Sequence, residues 1–184
     1  MCIRDSTTTA SFSDVKLGII IGFTGPIESL TPDMAAGAEL AIDEVNKSGS
    51  FSMGKVSGIR ADSTCIDSSA ATAAAERLIT SDKVNGIMGA DCSGVTTAIL
   101  QQVALANGMV MVSPSATSPA LSTVEDNNLF FRTAPSDARQ GQVIADILQE
   151  KGMNSVAISY VNNDYGKGLA ASIEANHKAA GGTV

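Results

Sequence analysis

Residues 15–46 read VKLGIIIGFTGPIESLTPDMAAGAELAIDEVN, and this stretch decides the fold class. It opens with a nearly continuous apolar run, residues 15–23, which is typical of a strand buried on both faces. A Thr-Gly-Pro turn follows, and Thr31 before Pro32 predicts a helix with Thr31 as its N-cap. The residues predicted to face the core from this helix are Met34, Ala38, Ala41, Ile42 and Val45.

The same strand-and-helix unit then repeats along the chain. Further strands are predicted at residues 55–62, 84–89, 109–112 and 155–161, and a short extended piece is predicted at residues 129–132. Further helices are predicted at residues 68–81, 94–107, 140–151 and 167–178. The residues predicted to face inward from the helix at 140–151 are Val143, Ile144, Ile147 and Leu148. Strands that alternate with helices form βαβ units. The sequence therefore predicts an α/β fold, a doubly wound parallel sheet.

Composition narrows the class of protein. The chain has 184 residues, of which 44% are hydrophobic and 17% charged, enough for a packed core. With 12 Lys and Arg against 19 Asp and Glu, it lacks the basic face that nucleic-acid binding needs.

No apolar run approaches the roughly 20 residues that span a bilayer, and the first residues lack the apolar stretch of a signal peptide. Residues 1–13, including Cys2, are interpreted as a non-native, leader or linker segment.

The fold class itself selects the loops where a ligand binds. In an open parallel sheet, ligands bind beyond the carboxyl ends of the strands, here residues 23–31, 63–67, 90–94 and 113–119. Ser93 lies at a predicted helix start, where backbone N–H groups and the helix dipole favour a carboxylate. Ser115 and Thr117, in the SPSATSP loop (residues 113–119), add hydroxyl donors and acceptors. A plain N-cap at Ser93 and an ordinary turn would explain the same pattern.

Two cysteines lie at the same sheet edge. Cys65 follows the second predicted strand and Cys92 the third. A disulfide is possible if their Cα atoms come within about 7 Å. Two buried free thiols fit the spacing equally well.

The sequence shows no catalytic or metal-binding pattern. Residues 49–55 match the first seven positions of a P-loop, but Val56 replaces the Ser or Thr and the stretch follows a helix instead of a strand. The single histidine, His177, is on a late helix away from the selected loops, which disfavours a Ser-His-Asp or Cys-His site. Three aspartates at the ligand edge could suggest magnesium, although solvated loop carboxylates are more common; they are Asp62, Asp67 and Asp91.

Three segments resemble a known family. Residues 17–46, 110–119 (VMVSPSATSP) and 162–169 (NNDYGKGL) are similar to the substrate-binding proteins of ABC importers, nearest to the group that binds leucine, isoleucine and valine. The resemblance implies the type I periplasmic binding-protein fold, in which two three-layer α/β/α lobes close over a ligand. It also implies an N-terminal fragment, with residues 14–133 forming lobe 1, incomplete without its C-terminal return strands, and residues 134–184 beginning lobe 2.

The resemblance implies the residues of a binding site. Ser93, Ser115 and Thr117 match the residues that hold the α-carboxylate and α-amino groups of the ligand, and Ala116 lies within the same motif. Leu30 falls near a first-loop position that is often aromatic, and Tyr165 of the Asp-Tyr-Gly turn is the candidate from lobe 2. A disulfide between Cys65 and Cys92 is also implied, and with it an oxidising compartment.

The function implied by the resemblance is capture of a branched-chain or related amino acid for an ABC importer. Such a protein is periplasmic or otherwise extracytoplasmic, needs no cofactor or metal and catalyses no reaction. Its expected partners are the amino-acid ligand and a membrane permease, and it is expected to be a monomer. Two alternatives stay open: a ligand-sensing receptor ectodomain on the same fold, and a flavodoxin-like cytosolic enzyme, which free thiols at Cys65 and Cys92 would favour.

Overall fold

The computed structural model describes residues 14–52 and 54–184, so the interpretation of residues 1–13 lies outside the described part. The strands are β1 (Val15–Ile21), β2 (Val56–Asp62), β3 (Gly86–Gly89), β4 (Met111–Ser113) and β5 (Phe130–Arg132). The α-helices are α1 (Thr31–Ser48), α2 (Ser68–Thr80), α3 (Ser93–Ile99), α4 (Leu105–Asn107), α5 (Asp137–Glu150) and α6 (Asp164–Ala179). A π-helical turn, Leu100–Ala104, joins α3 to α4, and a 3-10 turn, Pro119–Ser122, precedes β5.

The five strands form one parallel sheet in the order β2-β1-β3-β4-β5, which confirms the predicted fold class. Ile20 of β1 is in register with Ala61 of β2 and Gly89 of β3. The carboxyl ends of these three strands therefore lie side by side. Because β2 and β3 flank β1 on opposite sides, the strand order reverses here, which is where open α/β sheets bind ligands.

The centre of the sheet is covered on both faces, as alternating side chains of β1 require. Ile20 packs into the larger core cluster together with Leu78 of α2 and Ile99 of α3. Ile19 and Ile21 point to the other face and pack with Ala35 of α1. The helices thus form layers on both sides of the sheet.

The predicted core face of α1 is only partly right. Ala41 and Val45 are exposed and, with Leu17 of β1, line an open apolar groove of about 370 Å³. The predicted cap is also wrong, because Leu30 occupies the N-cap position and Thr31 is the first helical residue. The buried Thr31 hydroxyl instead donates to the carbonyl of Gly22 at 3.0 Å, which ties the start of α1 to the end of β1.

Two predictions near the C-terminus also need correction. Val143 and Ile147 are 39% and 44% exposed, because α5 turns its small residues towards α6. The approach is so close that a Cβ atom on Gly141 would overlap the side chain of Ser172. Residues 155–161 do not form a strand in the described structure: Ser155 pairs with Thr183 in an isolated parallel bridge, and strand geometry needs a neighbour to bond.

Candidate ligand-binding site

Asp91 joins the ends of the three central strands. Its side chain is buried, and its Oδ2 accepts a hydrogen bond from the Gly22 N–H at 2.7 Å. Its Oδ1 accepts from the Ser63 hydroxyl at 3.0 Å and from the Cys92 N–H at 3.0 Å. These donors follow β1, β2 and β3, so one carboxylate fixes three loops at the ligand edge.

The disulfide is confirmed. Cys65 and Cys92 are bonded to each other, with their Cα atoms 5.2 Å apart. The bond connects the loop after β2 directly to the N-cap residue of α3. It therefore reinforces the link that Asp91 makes between the same two loops.

The other two aspartates at this edge also have local partners. The Asp62 carboxylate accepts from the Thr24 hydroxyl at 2.6 Å and from the Thr64 N–H at 2.8 Å. Burial raises the pKa of Asp62, but these hydrogen bonds outweigh it and leave the pKa below its ordinary value. Asp67 caps α2 by accepting from two backbone N–H groups. The carboxylates are thus bonded separately, and residues 14–52 and 54–184 contain no cluster of three metal-binding side chains.

Ser93 and the SPSATSP loop are brought together as predicted from their positions after β3 and β4. The Ser118 N–H donates to Ser93 Oγ at 3.1 Å, and Ser115 Oγ donates to the Asp91 carbonyl at 3.0 Å. The buried Ser113 hydroxyl donates to the Ala90 carbonyl and accepts from the Ala116 N–H. Ser113 and Ser115 therefore hold this loop against the carbonyls of residues 90 and 91, and Ser118 holds it against the first residue of α3.

The hydrogen bonds assign a polarity to the three candidate hydroxyls. Ser93 Oγ accepts from the Ser118 N–H and donates to no group among the described residues, so its own proton can donate to an anion. Ser115 gives its proton to a carbonyl, and Thr117 gives its proton to Asp137 Oδ2 at 2.9 Å. Both of these oxygens therefore keep lone pairs for a cationic donor. The site pairs one donor with two acceptors.

Asp137 was not identified from the sequence. It is 1% exposed, begins α5, and donates its N–H to the Thr117 carbonyl at 2.9 Å. Burial raises its pKa, although the Thr117 hydroxyl and the positive charge of Arg132 act in the opposite direction. An aspartate in the first turn of a helix is an ordinary helix signal, so nothing in the pattern distinguished it.

Arg132, at the end of β5, was also missed. Its Nη1 donates to the carbonyls of Ala116 at 3.2 Å and Ser118 at 2.9 Å, and its Nη2 donates to Ser122 Oγ at 2.6 Å. Burial lowers the pKa of the Arg132 guanidinium. A single arginine at the end of a short strand gives no sequence signal for a role of this kind.

The remaining candidates occupy different positions around the site. Ala116 is fully buried, with its N–H and carbonyl bonded to Ser113 and Arg132. Leu30 is 57% exposed at the end of the loop after β1. Tyr165 is 40% exposed in the first turn of α6. This turn lies against α3, since a Cβ atom on Gly94 would be 3.5 Å from an Asp164 carboxylate oxygen.

The fold and the hydroxyl-lined edge of the sheet define one lobe of a type I periplasmic binding protein. Residues 33–184 match the family described as "Receptor family ligand binding region", and the chain belongs to this family. None of the described helices is long and apolar enough to cross a bilayer.

Relatives and solved structures agree with this assignment. The chain is 32% identical over 168 residues to "Leu/Ile/Val-binding protein homolog 3" of Brucella melitensis, covering 91% of this chain and 45% of the relative. It is 31% identical to the "Leu/Ile/Val-binding protein" of Citrobacter freundii, covering 100% and 49%. The isoleucine complex of the branched-chain amino acid transporter substrate binding protein of Streptococcus pneumoniae superposes with a TM-score of 0.81, at 27% identity, covering 94% and 48%. The chain thus spans about half the length of these proteins.

Proposed function

We propose that this chain provides the head-group-binding lobe of an extracytoplasmic solute-binding protein, which captures a branched-chain or related amino acid for an ABC importer. The observation that carries the proposal is the polarity of the three hydroxyls. Ser93 has a proton to donate, whereas Ser115 and Thr117 have donated theirs to the protein. One donor beside two acceptors matches the carboxylate and the ammonium of a zwitterion.

Each end of the ligand then has its own place. The α-carboxylate accepts from the Ser93 hydroxyl at the start of α3, where the backbone dipoles also favour negative charge. The α-ammonium donates to the free lone pairs of Ser115 and Thr117. The negative charge of Asp137, held behind Thr117, favours the cationic end on this side.

The other candidate residues have less direct roles. Because Ala116 is buried and its backbone polar groups are bonded, we assign it to shaping the SPSATSP loop. Leu30 and Tyr165 are exposed, and we assign them to contacts with the ligand side chain. We also propose that residues 14–133 belong to the first lobe and residues 134–184 to the beginning of a second, which would close over the ligand.

Binding and release without chemical change is all that this role requires, and the relatives named above are solute-binding proteins. The disulfide fits an extracytoplasmic compartment and disfavours the flavodoxin-like cytosolic enzyme. A membrane permease is the proposed partner. The second candidate is a ligand-sensing receptor ectodomain, which the description of the matching family as a receptor ligand-binding region favours.

Ligands that lack one charged end test the proposal directly. L-leucine is titrated calorimetrically into the complete protein, alongside 4-methylpentanoate, which lacks the ammonium, and 3-methylbutylamine, which lacks the carboxylate. We expect L-leucine to bind and each analogue to bind at least about tenfold more weakly, because each analogue lacks the charge-assisted hydrogen bonds of one end and leaves the hydroxyls there without a partner. Equal affinity for L-leucine and either analogue would refute the assigned polarity. If none of leucine, isoleucine and valine binds, as shown by the absence of heat at two temperatures, the proposed branched-chain ligand class is refuted.

A further inference from the structure

Arg132 holds the SPSATSP loop on both sides of Thr117. The carbonyl before Thr117 belongs to Ala116 and the one after it to Ser118, and the same guanidinium nitrogen donates to both. The second nitrogen reaches the Ser122 hydroxyl in the 3-10 turn that follows. A planar guanidinium presents its N–H donors from separate nitrogens in a fixed fork, whereas the three donors of a lysine ammonium rotate about a single nitrogen on a flexible stem.

The partners of Arg132 are unusual for a charged side chain. Within the described residues it forms no salt bridge at contact distance with a carboxylate, although Arg60 and Arg77 do. All three of its hydrogen bonds go instead to residues in or directly after the SPSATSP loop. Its position is therefore explained by the shape of that loop, since an ordinary surface ion pair would place a carboxylate opposite it.

We propose that Arg132 is a positioning residue for ligand binding, which holds the backbone on both sides of Thr117 so that the Thr117 hydroxyl stays directed at Asp137 with its lone pairs free. The proposal rests on the proposed function, because it concerns the same site. Arg132, the last residue of β5, does not contact the ligand itself. It acts on ligand binding only by holding Thr117 and the SPSATSP loop in place.

The charge of Arg132 has a second effect on the same hydroxyl. Asp137 accepts the Thr117 proton best when it is ionised. Burial raises the pKa of Asp137, and the Thr117 hydroxyl and the charge of Arg132 both lower it. Besides the SPSATSP loop and Arg132 of β5, helix α6 also packs against α5, and it presents the uncharged Ser172 to Ala138 and Gly141. The pKa of Asp137 is raised overall, and the charge of Arg132 opposes this rise and so favours the ionised carboxylate that accepts the Thr117 proton.

Two substitutions separate the geometric effect from the charge effect. Arg132→Gln removes both the fork and the charge, and Arg132→Lys keeps only the charge. Arg139→Gln, on the first turn of α5, is the matched control, because Arg139 is exposed and donates to Gln142. Affinity for L-leucine is measured in the complete protein by titration calorimetry from about pH 7.5 downwards, and thermal unfolding is followed without ligand.

We expect Arg132→Gln to bind L-leucine about tenfold or more weakly at neutral pH, as for lost charge-assisted hydrogen bonds. Its affinity should also begin to fall at a higher pH than that of the wild type. Arg132→Lys should weaken binding at neutral pH but keep the wild-type pH profile, and Arg139→Gln should change neither. A purely structural role for Arg132 would lower the melting temperature and leave the pH profile unmoved.

The outcomes distinguish this proposal from the proposed function. If the wild-type protein binds none of the three branched-chain amino acids, the proposed function fails, and this inference with it. If the wild type binds and both Arg132 variants bind with its affinity and pH profile, the positioning role alone is refuted. If Arg132→Gln does not fold, Arg132→Lys still tests whether the planar fork of donors is needed. Wild-type affinity in a folded Arg132→Lys variant would refute that requirement.

Discussion

Thr117 and Asp137 are joined twice, through the Thr117 hydroxyl to the Asp137 carboxylate and through the Asp137 N–H to the Thr117 carbonyl, each at 2.9 Å. The pair connects the SPSATSP loop to the first residue of α5. A residue proposed to touch the ligand is therefore bonded directly to the helix that opens the proposed second lobe. A shift of α5 would therefore also move the Thr117 hydroxyl. Through this contact, the position of the proposed second lobe and the binding of the ligand depend on each other.

Replacing Thr117 with alanine removes the hydroxyl that this pair orients. We expect affinity for L-leucine to fall by about 5- to 150-fold, corresponding to about 1–3 kcal/mol for a charged ligand group that loses its partner. Titration calorimetry of the complete protein measures the change. Thr123→Ala is the matched control, because Thr123 is exposed and bonds only locally to Ala120. Unchanged affinity in Thr117→Ala would remove Thr117 from the proposed site.

The disulfide closes a long loop, with a sequence separation of 27 between Cys65 and Cys92. The chain-entropy treatment of a loop of this size gives about 3–4 kcal/mol of stabilisation. We therefore expect the double variant Cys65→Ser, Cys92→Ser to unfold at a distinctly lower urea concentration. All proteins compared should carry Cys2→Ser, so that no third thiol can exchange. Reductant should lower the midpoint of the parent protein to that of the variant and leave the variant unchanged; equal midpoints before reduction would contradict the expectation.

The sequence was sufficient for the architecture because the sheet is parallel. Its central strand, β1, is buried on both faces and therefore appears as an uninterrupted apolar run, and Ile19, Ile20 and Ile21 are buried as that run predicts. The same logic placed Ser93, Ser115 and Thr117 at one edge, since parallel strands end together. Elements that depend on neighbours were harder to predict: residues 155–161 have the composition of a strand, but pairing decides whether a strand forms.

Three residues have supporting roles that the sequence did not reveal, although Asp91 itself was noted at the ligand edge. These residues hold the loops of the site in place by hydrogen bonds to backbone groups of other segments; they are Asp91, Arg132 and Asp137. The Gly22 partner of Asp91 is 69 residues away, the Ser118 partner of Arg132 is 14 residues away, and the Thr117 partner of Asp137 is 20 residues away. A spacing pattern cannot show such a role, because any aspartate or arginine in a loop has the same local signature. The exposure of Val143 and Ile147 has a related origin, because helix periodicity predicts a face but not which neighbour the face meets.

Asp91 is expected to be the most sensitive of these supporting residues to a conservative change. Asparagine in its place would set an amide NH2 group against donors that now share a carboxylate, the N–H groups of Gly22 and Cys92 and the Ser63 hydroxyl. We expect Asp91→Asn to lower the free energy of unfolding by about 2–3 kcal/mol, measured by urea denaturation. Asp146→Asn, exposed on α5, is the control. If the two variants have equal stability, Asp91 does not hold the three loops together.

Asp62 should make the stability of the protein depend on pH. Its pKa is below the ordinary value in the folded state, since the hydrogen bonds from Thr24 and Thr64 outweigh the opposing effect of burial. The unfolded chain therefore binds this proton more readily, so the stabilisation is present above the ordinary aspartate pKa and is lost as the pH falls through the folded value. Asp62→Asn should accordingly be less stable than the wild type at about pH 7. The difference between their urea midpoints should shrink as the pH is lowered well below the ordinary aspartate pKa of about 3.9, whereas Asp146→Asn should follow the wild type at both pH values. A difference between wild type and Asp62→Asn that is the same at both pH values would show that the Asp62 charge contributes nothing beyond the shape of the side chain.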